Sequence, residues 1–227
     1  MKFRNLTTAL VLCLGLYSFA QIDGKSPEPE QYPFNNIGDT SRGVFGADDR
    51  MEVKDAVSQQ DYVRATAVMI NKKYIKNNKI KAYTLRDRLY SIYGVNKFDE
   101  SVKFLDQPTI ANCTGFLLAP DIIATAGHCV DDKSTYKDYV WVFDYTLEKY
   151  KGYTGVITLD ANDIYEVDET MGDRFEDGYD YAFIRLKRKC DRKPYRFRTS
   201  GEVAAYSNVY TIGSPTGLPL KFVDNSY

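Results

Sequence analysis

The chain contains a single histidine, His128, set in Ala126-Gly127-His128-Cys129. An imidazole titrates nearer neutral pH than any other ordinary side chain, which makes it the first candidate for a general base. A lone histidine is most often structural or simply exposed, so its surroundings must decide. The apolar run Ile122-Ile123-Ala124 leads into it, a small-residue turn precedes it and a cysteine follows. Upstream, Cys113 heads a second apolar stretch, Gly115 to Ala119. Both runs are rich in strand formers, and Pro120-Asp121 between them is a turn signal. Together they read as a β-hairpin with the imidazole at its exit. A metal reading would take Cys113, His128, Cys129 and Cys190. Adjacent histidine and cysteine rarely ligate one ion, and the spacing fits no zinc pattern. Neither a metal nor a cofactor is expected.

The next candidate group is a carboxylate. In Asp180-Tyr-Ala-Phe-Ile-Arg-Leu186, alternation puts Ala182, Ile184 and Leu186 on one face and Tyr181, Phe183 and Arg185 on the other. Asp180 stands where this strand begins, after an acidic stretch, Asp168 to Asp177, that reads as a loop. Asp168, Asp173 and Asp177 read as ordinary surface carboxylates.

The Cys113-to-Cys129 segment resembles the histidine segment of chymotrypsin-fold serine proteases. The strand from Asp180 resembles that family's Asp-x-Ala-x-x-x-Leu strand, which supplies the triad carboxylate. The resemblance implies His128 as general base, Asp180 as the group that fixes its tautomer, and a Cys113–Cys129 disulfide that clamps the loop. A bridge closing a loop of about 15 residues contributes about 3 kcal/mol in the chain-entropy treatment. Histidine before aspartate is the chymotrypsin-like order. Two further phrases resemble the glutamyl-endopeptidase-like branch of the family: Val44-Phe-Gly-Ala-Asp-Asp-Arg50, and Ile212-Gly-Ser-Pro-Thr-Gly-Leu-Pro-Leu-Lys221.

The family's nucleophile sits in a Gly-Asp/Asn-Ser-Gly turn, and this chain has no such phrase. Ser214 lies in Ile-Gly-Ser-Pro and Ser226 in Asp-Asn-Ser-Tyr. The resemblance therefore covers residues 44 to 227 and implies a chain truncated before the catalytic serine, inactive as it stands. The alternative is a non-catalytic secreted module that kept the barrel and abandoned the nucleophile.

The remaining sequence must position these groups. The 227 residues carry a formal charge of −1 and are 44% hydrophobic, enough for a sizeable core and without a case for nucleic acid as a partner. Lys2 and Arg4, an apolar run from Ala9 to Leu16 and Ser18-Phe19-Ala20 read as a secretory signal peptide over residues 1–20. Leu12 before Cys13 argues against lipidation, and the apolar run is too short to span a membrane. Residues 21–43 read as a pro-segment ending at Arg42-Gly43. Export permits disulfides and leaves Cys190 over. Short strand-like runs recur at Arg64–Ile70, Tyr139–Phe143 and Gly155–Thr158, without long amphipathic helices between them. Residues 71–100 read as an insertion. In it Thr84-x-x-Asp87 starts a helix, with Leu85, Leu89 and Ile92 on one face, packed on the barrel and stopped by Gly94. The basic run Arg185–Arg198 reads as a solvated linker.

The fold class expected is all-β. The resemblance makes it a chymotrypsin-like double β-barrel, its first barrel complete over residues 44–190 and carrying His128 and Asp180. Residues 191–227 would be the linker and the start of the second barrel, and the helix a short insertion. The expected protein is a secreted monomer, free of the membrane once its signal peptide is cleaved, that acts on protein or peptide substrates.

Overall fold

The computed structural model describes residues 48–99, 101–130, 136–176 and 178–226. The expected signal peptide and pro-segment, the Arg42-Gly43 junction, residues 44–47 and Asp177 lie outside the described residues.

Fourteen strands are formed by the described residues, and they come in the following order. They are β1 Met51–Glu52, β2 Thr66–Asn71, β3 Ile75–Lys76, β4 Lys79–Lys81, β5 Tyr83–Thr84, β6 Pro108–Thr109, β7 Cys113–Ala119 and β8 Ile122–Thr125. Then follow β9 Tyr139–Phe143, β10 Val156–Thr158, β11 Ile164–Glu176, β12 Tyr179–Leu186, β13 Val209–Gly213 and β14 Lys221–Ser226. Two α-helices, α1 Gln60–Arg64 and α2 Leu85–Tyr93, complete the set with short 3-10 turns.

Six strands close into a barrel in the order β11-β12-β8-β7-β2-β9. Alternation builds its interior: Ala67 and Met69, Leu117, Ile123, Trp141 and Phe143, Tyr165 and Val167, and Ala182, Ile184 and Leu186 form one cluster. Gly115 makes room for the indole, because a Cβ there would stand 2.7 Å from Trp141 and 2.6 Å from Ile123. The opposite faces of β2 and β9 are buried too. Val68, Ile70, Val140 and Val142 join a second cluster with Ile80, Ile157, Leu220 and Phe222. Burial on both faces explains why β2 reads as an unbroken apolar run.

The start of a second sheet is also present, in the order β1-β14-β13. Within it, buried Lys221 of β14 pairs with Glu52 of β1 at 2.9 Å. The Ser214 N–H, just past β13, ties it to the barrel by donating to Thr114 Oγ1 of β7 at 2.9 Å. The β-class fold with a closed barrel is what the structure has, with the three-stranded sheet β1-β14-β13 in addition.

Several local expectations need correction. The acidic stretch from Asp168 is not a loop but the outer half of β11, paired with β12 as far as Glu176↔Tyr179. Beyond Val167 no residue of β11 is buried, so backbone bonds hold this half and no apolar alternation marks it. β10 pairs with β4 in a small sheet beside the barrel, not within it. The helix α2 has the expected capping box at Thr84 and Asp87 and the left-handed Gly94. It packs on a satellite cluster with Leu105 and Leu218 rather than on the barrel's own clusters. The basic run is only partly solvated. The Arg192 side chain is 5% exposed and bonds Asp144 and Asp163 at 2.7 Å each, while Cys190 is a buried free thiol. Two opposed carboxylates neutralise the guanidinium, and that lets a cation lie inside.

Candidate active site

His128 is delivered by β8. Antiparallel pairing of β8 with β12 sets Thr125 opposite Ala182. Continuing that register past the end of β8 brings Gly127 and His128 alongside Asp180. There the chain turns through a 3-10 segment, Gly127–Cys129, closed by Cys129 N–H to Ala126 O at 3.2 Å and Val130 N–H to Gly127 O at 2.9 Å. The turn is fastened at its far side by the Cys113–Cys129 disulfide, with sequence separation 16. Cys113 opens β7, so the bridge ties the turn to a barrel strand already paired with both β2 and β8. Thr125 Oγ1 adds a bond to Thr114 O at 2.8 Å.

Asp180 meets this turn twice. Its Oδ1 accepts the His128 backbone N–H at 3.0 Å, and its Oδ2 lies 2.9 Å from His128 Nδ1. Partial burial pushes the Asp180 carboxyl up. The His128 backbone N–H, its ring and the Gly127 N–H outweigh that and hold the carboxyl below the ordinary carboxylate range. Near neutral pH Asp180 is therefore ionised and can only accept. Nδ1 must carry the proton between them, and Nε2 becomes the basic nitrogen of the neutral ring. Both side chains keep about a third or more of their surface open, 39% for His128 and 34% for Asp180, so the ring can be approached from solvent.

Phe175, the cross-strand partner of Asp180, stands edge-on to the imidazole with centroids 5.9 Å apart. Sequence reasoning missed it, since nothing distinguishes a phenylalanine within an acidic stretch. Asp168 and Asp173 lie on β11, whereas Asp180, on β12, holds His128.

The serines remain apart from this pair in kind. Ser214 uses its backbone N–H on Thr114 and its hydroxyl on the Leu218 carbonyl. Ser226 lies at the end of β14. Ser200 does precede a glycine, Gly201, but Arg198 holds the place of the first glycine in the Gly-x-Ser-Gly pattern.

Cys113, His128 and Cys129 bring their ligand atoms within 4.8 Å of one another. A metal would need the sulfurs as thiolates, and both are spent in the disulfide. The donor set does not fit an ion.

The model of a family described as "Trypsin" matches residues 92–224, more than half of the chain. Among curated proteins, Proproteinase E of Bos taurus is 33% identical over 76 residues, 34% of this chain and 29% of that protein. Chymotrypsin-like elastase family member 3B of Macaca mulatta is 36% identical over 78 residues, again 34% of this chain and 29% of the relative. The matched stretch thus spans less than a third of either relative's length. With the family match extending over most of the barrel and both residues of the His128–Asp180 pair, the chain belongs to the trypsin family.

Proposed function

We propose that this chain supplies the base and the orienting carboxylate, His128 and Asp180, of a serine endopeptidase that hydrolyses protein or peptide substrates through an acyl-enzyme. The observation that carries the reading is the double hydrogen bond of Asp180 to the backbone and ring of His128, at 3.0 and 2.9 Å. Nε2 then takes the proton from an attacking serine hydroxyl and later gives it to the leaving amine. Asp180 steadies the imidazolium formed between these steps. The attacking serine and the backbone donors for the oxyanion would come from sequence beyond Tyr227, because no Gly-x-Ser-Gly stands among the 227 residues. The Ile212-to-Lys221 phrase supports the glutamyl-endopeptidase-like branch.

The same reading keeps residues 1–20 as a signal peptide, 21–43 as a pro-segment, 44–190 as the first barrel and 191–227 as the linker and start of the second. It makes the protein a secreted monomer. Among the described residues no helix is long and apolar enough to cross a membrane.

The test is to express the gene with the sequence that follows codon 227. That protein should hydrolyse peptides and take up a fluorophosphonate serine probe. His128→Ala or Asp180→Asn should lower its turnover by on the order of 10⁴. The 227-residue chain should do neither, since losing even one oxyanion donor costs roughly 100- to 1000-fold. Full activity of the longer His128→Ala protein would refute the assignment. The missing Gly-x-Ser-Gly phrase also favours a second reading, a non-catalytic secreted binding module. A longer protein that binds peptides but takes up no probe would establish it.

A further inference from the structure

We propose that the groove walled by residues 52–54, 106–108 and 147–153 is the docking site of a proline-rich phrase in the chain's own N-terminal segment, Ser26-Pro-Glu-Pro-Glu-Gln-Tyr-Pro-Phe34. The proposal rests on the reading of residues 21–43 as a pro-segment, and adds where that segment is held until it is cut away.

The groove has a volume of about 440 Å³, room for a few side chains. Its surface is mostly apolar, with Pro108 and Tyr150 buried and Leu147 and Tyr153 half-buried along it. The walls are fixed to one another. Gln107 Nε2 donates to Glu52 Oε1 at 2.7 Å, and the Tyr145 hydroxyl donates to the Pro108 carbonyl at 2.9 Å. The Tyr145 ring in turn lies 5.6 Å from that of Tyr150. Leu147 belongs to none of the three core clusters, so the packing of the core does not account for an apolar side chain there. The groove shares no residue with the His128–Asp180 pair.

The chain itself brings the occupant to this place. Asp48 is held where it enters the fold: its carboxylate grips Arg50 at 2.8 and 2.6 Å, and its carbonyl accepts from Lys103 Nζ. Glu52, in the groove wall, is four positions further on, so the segment arrives within about 14 Å of the groove. Fourteen positions separate Phe34 from Asp48, a reach of up to about 50 Å and ample for the chain to fold back. The phrase has prolines at 27, 29 and 33 and aromatic residues at 32 and 34. Such a composition favours the polyproline II form, which loses little entropy on binding and docks in grooves lined by aromatic side chains. On so short a tether its effective concentration is of the order of millimolar, well above that of a second copy at micromolar levels. Cleavage at Arg42-Gly43 removes the tether and with it this advantage.

The experiment is hydrogen–deuterium exchange on the 227-residue chain, beside the double variant Tyr32→Ala with Phe34→Ala and the groove variant Leu147→Asp. In the parent, amides of residues 147–153 should exchange at least about tenfold more slowly than in either variant. A synthetic peptide of residues 26–34 should restore protection to the double variant, leave the parent unchanged because its groove is filled, and fail to protect Leu147→Asp. Both changes lie outside the core clusters, so β2 and β9 should exchange alike in all three chains. Equal exchange at 147–153 in the parent and the double variant overturns the proposal. So does a peptide that protects parent and double variant alike, since the groove would then be empty in the parent. Protection that grows with chain concentration also overturns it, by making a second copy the occupant. The pro-segment reading fails on a different measurement, an exported mature protein that keeps residues 21–43, on which exchange in the uncut chain does not depend.

Discussion

Replacing Cys113 and Cys129 together by alanine removes the cross-link that holds the His128 turn to β7. The bridge spans 16 positions. In the chain-entropy treatment a loop of that length restricts the unfolded chain by about 3 kcal/mol at 25 °C. Against a typical domain stability of about 5–15 kcal/mol this is a large share. For a chain of this size each kcal/mol moves the melting temperature by about 2–4 °C, so Tm should fall by about 6–12 °C. The sulfurs also pack against the barrel interior, and that contribution must be separated from the cross-link. Urea unfolding of three samples does so: the oxidised parent, the parent in reductant and the double variant. If the constraint dominates, the reduced parent and the variant should both lie about 3 kcal/mol below the oxidised parent. Cys190 is present in all three and is already free and buried. A loss under about 1 kcal/mol in both samples would refute the reasoning, as the bridge would then not restrict the unfolded chain.

The Asp180 carboxyl is held below its ordinary value of 3.8, so its bonds to the turn stabilise the fold fully above that value. That contribution is lost as pH falls through the lower folded-state value. The stability gap between the parent and Asp180→Asn should therefore be widest near neutral pH and close in acid, and a gap independent of pH would count against an ionised Asp180. In the barrel interior, Gly115→Ala forces a methyl against Ile123 and Trp141. Overpacking of this kind should cost about 1–3 kcal/mol and alter the Trp141 fluorescence; an unchanged urea midpoint would contradict it.

Local sequence determined a good part of this molecule. β8, β9 and β12 are legible because each buries a face, and burial writes apolar runs or a period of two into the chain. Ala182, Ile184 and Leu186 all lie in the interior as their alternation requires. The capping box of α2 is local chemistry and was equally readable. His128 stood out because a lone imidazole followed a turn at a strand's end.

Tertiary structure alone decided the rest. The outer half of β11 buries nothing after Val167, so its strand state comes from pairing with β12 and leaves no hydrophobic period. Arg192 reads as one more charge in a basic run until the fold brings Asp144 and Asp163 to it. Phe175 gains meaning only where the hairpin lays it beside the imidazole. The meeting of His128 and Asp180 is of this kind too. Their residue types were visible in the sequence, but the 2.9 Å bond is made by the register of β8 on β12. Sequence records what each residue buries near itself; a contact across 52 positions exists only once the strands between have paired.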